Sequence, residues 1–431
     1  MATPKGNIGY PIVGDSSLEF YRDVPLYLQS RIQEHGTRIF QGRILNKPTV
    51  FICSASAVRE LLTEHHTKMK LGYKAILHNL YGDNIMFEEA GEADRLHALM
   101  HHVFVQSGLP RFQQILQKYI HRHFSDLHSR ADVEVYTLFK QFATELMLAL
   151  FFDLDVEDSP DLVREVTSLA TTHWHGVISV PLSFKVSYWS SSYKRAVEAK
   201  ERLLELVREQ LARRGPEGSF MDRASRAGFK DQAELEQHIL PFVSALVPKA
   251  IASILASFVQ AVSSNGQECL QERAREDSEF LKWCLLETER LWPPVIGGRR
   301  LVTKDFVLDG YKIPKGYGII YVSSMAHRDP KAFANPDSYD PLRWAANLEE
   351  QKKLLFCYGA GPRCCVGTSL MRTLVQTVSE YIVQRYSWTL GPSQETPDYK
   401  WLPIARPKEM SVTFSRIHQS GSSSDDANGS R

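Results

Sequence analysis

Apolar residues recur at three- and four-residue intervals along most of the chain. That spacing predicts helices near 20–35, 91–106, 109–128, 136–153, 160–172, 190–214, 231–263, 268–292 and from Thr368 to about Arg385. The pattern changes to alternation through Arg38–Cys53, which predicts a strand hairpin turning at Asn46-Lys47-Pro48, and short strands are expected again over 299–325. Ser54 stands where it would cap a short helix reaching about His65. The longest apolar stretch, Ile239 to Val262, is long enough to cross a bilayer, but Pro248-Lys249 at its midpoint argues for a buried helix. Within it Pro248 should free the Ser244 carbonyl and bend the helix. Residues 214–228 read as a surface linker. The tail from 418 to 431 is Ser, Asp, Gly and Asn with nothing to bury, so disorder is expected there. The expected class is mainly α with a small β region, and no internal repeat is visible.

Composition narrows the function classes. With 431 residues and 43% hydrophobic content the chain can bury a large core. A net charge of +1 implies no general attraction to nucleic acid. Six cysteines, at 53, 269, 284, 357, 364 and 365, form no C-x-x-C pair and no regular framework, which points to a reducing compartment.

The candidate chemistry lies near the C-terminus, where Phe356-Cys-Tyr-Gly-Ala-Gly-Pro-Arg-Cys-Cys-Val-Gly367 places cysteines in a glycine-flanked loop just before a helix. Free backbone N–H groups at a helix N-terminus and a nearby Arg are expected to lower a thiol pKa and favour the metal-binding thiolate. The spacing Tyr358-x-x-Gly361-x-Arg363-x-Cys365-x-Gly367 resembles the cytochrome P-450 haem signature, with Tyr in place of the usual first Phe. Glu287-Thr-Glu-Arg290 resembles the E-x-x-R helix of the same family. Ala326 to Trp344 resembles its meander, where Arg343 would complete a buried Glu287–Arg290–Arg343 cluster.

The resemblance implies a single-domain cytochrome P-450 fold over 1–417, with its β-richer parts at 36–53 and 299–325 and a haem-binding loop at 356–367. It implies haem b as cofactor and Cys365, not Cys364, as axial ligand. Arg363, Tyr358, Gly361 and Gly367 would hold the haem. Arg300 has the spacing of a propionate-binding Arg, although Arg299 beside it could take either role. Where the family has a Trp or His and, four residues on, an Arg, this chain has Asp94 and Ala98, and Arg95 and His97 are the nearest substitutes.

Oxygen-activating members place an acid followed by a threonine in the long central helix, to deliver protons to the oxygen bond being broken. This chain has neither Asp nor Glu between Glu236 and Glu268. The catalytic candidates that remain there are Lys249, Ala252 and Ser253. The resemblance therefore implies a haem-thiolate oxidoreductase that oxygenates a hydrophobic, lipid-like substrate by non-standard oxygen activation, supplied by a reductase or ferredoxin. The alternatives are a peroxide-dependent isomerase, lyase or fatty-acid peroxygenase, in which Lys249 would hold a carboxylate, and a non-catalytic haem-binding protein. The pocket should be apolar and come from 66–90 and 173–190, with Tyr73, Leu80, Phe87, Trp174 and Val177 among its walls. A monomer is expected, without nucleic-acid partners. It is expected in the cytoplasm, or on the endoplasmic reticulum with an N-terminal anchor missing from this chain.

Overall fold

The computed structural model describes residues 2–105, 109–179, 192–213, 215–263, 270–391 and 398–417. Helices make up most of it. The helix Val135–Phe151 is buried on nearly every side and lies against Leu246–Val262; Ser278–Leu291 and Thr368–Arg385 complete the same hydrophobic core. Such all-round apolar helices belong in the interior of a large core.

A five-stranded sheet flanks the helices. Its order is Ile39–Ile44, Lys47–Ile52, Gly318–Tyr321, Gly298–Val302 and Met69–Leu71, with one parallel pair between the second and third. The hairpin turns at Leu45-Asn46, both at positive φ, and not at Asn46–Pro48; Pro48 already sits in the strand opposite Arg43. A three-stranded sheet of Val133–Glu134, Ser411–Arg416 and Tyr386–Leu390 lies near the C-terminus, and a hairpin pairs Tyr399–Lys400 with Arg406–Pro407. Neither was visible in the pattern.

Several helix boundaries differ from expectation for identifiable reasons. The stretch 231–263 is two helices, Gln232–Val243 and Leu246–Val262, because Ser244 leaves the helical region at φ −80°, ψ 166°. Pro248 therefore falls in a first turn, where its missing N–H costs little, instead of bending a continuous helix. The stretch 268–292 also divides. Asp277 caps Ser278–Leu291 by accepting from Glu279 N (2.8 Å) and Phe280 N (3.0 Å), after a short helix Leu270–Glu276. The expected linker at 214–228 contains the helix Phe220–Arg226, whose Phe220, Met221 and Ala224 are buried. Ser54 makes no side-chain cap; Asp329 supplies it by accepting from Ala55 N at 3.0 Å. The tail 418–431 lies outside the described residues.

One carboxylate joins the core to the segment after it. Glu287 accepts from Arg290 Nη2 (2.8 Å), Arg290 Nε (2.9 Å), Arg343 Nε (2.9 Å), Trp344 Nε1 (3.0 Å) and Asp340 N (3.0 Å). Arg290 spends its other N–H groups on the carbonyls of His327, Pro336 and Ser338. Both Glu287 and Arg290 are fully buried. Removing one partner strands a buried charge, so Arg290→Met is expected to cost roughly 3–5 kcal/mol. Urea unfolding checks this, and a loss below about 1 kcal/mol would show the cluster to be dispensable.

Candidate active site

The residues that carry Cys365 are held from three sides. His327 donates from Nδ1 to Arg290 O (2.9 Å) and accepts at Nε2 from Phe356 N (2.7 Å), so the ring links the Glu287 cluster to the start of the loop. Burial brings its pKa down to about 3, which keeps it neutral and in that tautomer. Tyr358 then donates its hydroxyl to Glu289 (2.9 Å), while its carbonyl accepts from Cys365 N (2.9 Å). Arg372 bonds the other Glu289 oxygen at 3.2 Å and lies 5.3 Å over the Tyr358 ring. Burial raises the Glu289 pKa, opposed by Arg372 and Tyr358. The Tyr that replaces the family's Phe thus gains a polar anchor on the E-x-x-R helix.

Gly361 sits at φ +65°, and a Cβ there would lie 2.4 Å from the Leu62 carbonyl oxygen. That neighbouring backbone requires glycine here. Gly367 precedes the helix Thr368–Arg385, and a Cβ on it would meet Cys365 Sγ at 3.9 Å, an ordinary contact. The expected lowering of the thiol pKa is not found: burial pushes Cys365 up, and the Gly367 N–H bond offsets only part of this. A metal at the sulfur would itself deprotonate the thiol.

Cys365 and Cys364 both line a cavity of about 740 Å³. Its walls include Tyr73, Phe87, Trp174, Val177 and Leu246, while Leu80 is buried in the same cluster as Phe87 without lining the cavity. Residues 180–190 of the second expected wall segment lie outside the described residues. Arg300, Arg363 and His97 face the cavity. Arg363 donates from Nη2 to Ile85 O (3.1 Å), but its Nη1 is buried without a partner. Arg299 is buried in the sheet and does not line the cavity; its Nη2 reaches Ile44 O at 3.4 Å. Arg95 is also elsewhere, in an ion network with Glu92 and Glu234. The helix Ala90–Val105 turns His97, two residues on, toward the cavity instead.

A thiol, two guanidiniums with an orphaned N–H, and a large apolar chamber suit a flat hydrophobic macrocycle bearing two carboxylates. The donor set fits haem.

The central helix sends Leu246 to this cavity but none of the three catalytic candidates. Ala252 is buried in the core, and Ser253 donates to the Ala405 carbonyl, so its hydroxyl is spent on packing. Lys249 stacks 4.5 Å from the centre of the Trp174 ring, on a residue that itself lines the cavity. These positions correct the catalytic assignment: after the Ser244 break Leu246 faces the chamber, while Lys249, Ala252 and Ser253 do not line it.

A family model described as Cytochrome P450 matches residues 248–414. Cytochrome P450 26B1 of Danio rerio is 22% identical over 85% of this chain and 78% of its own length. A Beta-amyrin 28-monooxygenase of Medicago truncatula is 22% identical over 89% and 87%. A retinoic acid bound cyanobacterial CYP120A1 superposes with a TM-score of 0.82 at 22% identity, covering 97% of this chain and 100% of that one. The heme domain of cytochrome P450DA gives 0.77 at 17% identity. Residues 248–414 are a match to the cytochrome P450 family, and the described chain has the cytochrome P450 fold. Its cofactor is haem b, and it is an enzyme of the haem-thiolate oxidoreductase type.

Lys249 is a half-buried cation packed on the cavity wall at Trp174. Its pKa is brought down from the ordinary 10.5 to about 7, first by burial and then by the cations Lys140, Arg406 and Lys400. The folded state therefore binds this proton less well than the unfolded state. Between about pH 7 and pH 10.5 the unfolded chain holds more protons, so stability rises with pH across that window and the penalty is largest below it. Lys249→Met should raise stability at pH 7 by about 1–2 kcal/mol, well under the full pKa difference because the ammonium is part-solvated. Melting curves check this: the gain must shrink as pH approaches 10.5, and a gain constant with pH would assign it to packing alone.

Proposed function

We propose that Cys365 would hold the haem iron through its thiolate and that this protein oxygenates a hydrophobic, lipid-like molecule held in the cavity beside it. The observation that carries the reading is the apolar chamber of about 740 Å³ with Cys365 in its lining. When bound, haem supplies the one-electron and oxygen chemistry. The chain's own residues do the rest. Arg300 and Arg363 take the carboxylates of the cofactor, and the Glu289–Tyr358 anchor holds the loop that presents the sulfur. Phe87, Trp174, Leu246 and Ile404 exclude water and orient an apolar substrate. The named activity of the Medicago truncatula relative and the ligand of the cyanobacterial structure support the same substrate class.

A second reading is favoured by one observation. The central helix offers neither Asp nor Glu between Glu236 and Glu268, and Ser253 is tied to Ala405. With no carboxylate there to pass protons, an oxidant that arrives already reduced, such as a lipid hydroperoxide, would need less help than dioxygen.

Two experiments decide. The reduced, carbon monoxide-treated protein should show a Soret band at about 450 nm, set by a thiolate ligand. Cys365→Ser should abolish it and Cys364→Ser should retain it; the reverse would shift the ligand by one residue. On a common lipid panel, turnover with a reductase and NAD(P)H but not with hydroperoxide supports oxygenation. Turnover with hydroperoxide alone would replace it by the peroxide reading.

A further inference from the structure

Behind the cavity wall formed by Trp174, four cations converge from three elements. Lys249 stands on the helix Leu246–Val262 and stacks on Trp174. Lys400 and Arg406 are direct cross-strand partners in the hairpin Tyr399–Lys400/Arg406–Pro407. Lys140 stands on Val135–Phe151, one turn after Tyr136, whose ring lies 4.5 Å beneath the Arg406 guanidinium. The hairpin is fastened to the central helix at both strands. Tyr399 OH donates to Gln260 Oε1 (2.7 Å) and reaches Ser257 Oγ (3.0 Å), and Ser253 donates to the Ala405 carbonyl.

This arrangement is costly as it stands. Like charges placed directly across a strand pair repel. All three neighbours act on Lys249 in the same direction, against its protonated form. Among the described residues none of the four cations makes an ion pair with a carboxylate. The Glu134 carboxylate, on the strand leading into Tyr136, is bonded to Thr137 N (2.7 Å). Several other buried or half-buried cations of this chain have carboxylates, Arg290 and Arg343 on Glu287, Arg372 on Glu289, Arg208 on Glu236, while Arg43 and Arg299 are held singly by backbone carbonyls. Here four cations are held together by tethered elements with no carboxylate among them.

We propose that Lys140, Lys249, Lys400 and Arg406 bind an oxyanion, a carboxylate or a sulfate- or phosphate-like group, at the edge of the substrate cavity. The cluster adjoins the chamber through the central helix and the hairpin, though not through the helix that carries Lys140. Trp174 and Leu246 line the cavity, and so do Leu402, Pro403 and Ile404, which connect Lys400 to Arg406. An amphipathic acid can place its chain against those residues and its charged end among the cations. That source of the anion rests on the proposed function; the anion site itself does not. Ser253 acquires a role here as well, since its bond to Ala405 fixes the hairpin that carries two of the four charges.

The test uses the purified haem-loaded protein. Melting temperature is measured in low millimolar sodium sulfate against sodium chloride of equal ionic strength, a range in which exclusion of sulfate from the protein surface is negligible. In parallel, dodecanoate and dodecanol are titrated by calorimetry. Each series is repeated with Arg406→Gln and with Lys400→Gln, the latter at an exposed position that leaves the core untouched. A sulfate-specific rise in melting temperature that is lost in both variants supports the site with a free oxyanion. No sulfate effect, but dodecanoate binding at least about tenfold tighter than dodecanol with the preference lost in both variants, supports it with an anion carried by the substrate. Absence of both effects, or a preference that survives both substitutions, overturns the proposal. Because the sulfate arm reads no haem signal, a positive result there without the Soret band at about 450 nm would keep the site and remove the haem-thiolate reading.

Discussion

The Glu287 carboxylate is the point on which the rest of this structure depends. A fully buried charge is tolerated only when its lone pairs are filled, and here five donors from the same helix, the meander and Trp344 fill them. Its partner Arg290 is satisfied by three carbonyls from the segment 327–338. Because His327 bonds both the Arg290 carbonyl and the Phe356 amide, the position of the cysteine loop follows from the position of this ion cluster. The functional sulfur is thus placed by charges remote from it in sequence, through a chain of hydrogen bonds with few soft links. Burial costs the cluster stability in isolation, yet the same burial makes any other arrangement of the loop worse.

The second determining feature is the interruption at Ser244. Pro241 and Pro248 flank it, and each removes one amide donor; the chain leaves the helix at Ser244 and Ala245 and begins again at Leu246. Restarting resets which side chains face the chamber. Leu246 faces it, while Ala252 and Ser253 enter the core and Lys249 goes behind Trp174. In a continuous helix the register after Pro248 would have been carried over from the residues before it. The break separates the polar chemistry of this helix from the cavity and leaves an apolar wall.

These two features explain what could be read from the chain. The thiolate loop, the E-x-x-R pair and Arg343 were legible because each is a short motif at fixed spacing, and so was the helical class, because its periodicity is strong over long runs. Of the two neighbouring arginines at 299 and 300, strand alternation decides which faces the cavity, and in the register Arg300 stands opposite Ile319 and Leu71, the latter far away in sequence. Arg95 was a plausible haem partner by position, but Glu234, on a helix 139 residues later, holds it elsewhere. Asp329 as the cap of Ala55 is likewise a contact 274 residues apart, and no local signal marks it. The role of Glu289 was hidden inside a motif already read for its other two charges; the only hint was the Tyr at position 358, whose hydroxyl needs a partner when buried.

The chamber consequently differs in character at two of its sides. One presents a thiol with Arg300 and Arg363, the other an aromatic and aliphatic wall of Trp174, Leu246 and Ile404 backed by unneutralised positive charge. An apolar wall with cations directly behind it is not equivalent to a plain hydrophobic surface, because the field of a half-buried charge is weakly screened across one ring thickness. A neutral hydrocarbon would be indifferent to it, whereas a molecule with an anionic end would be oriented by it, apolar chain toward the sulfur. Orientation of this kind fixes which carbon lies nearest the reacting centre without any hydrogen bond at that carbon, and it acts through the same Trp174 side chain that closes the cavity.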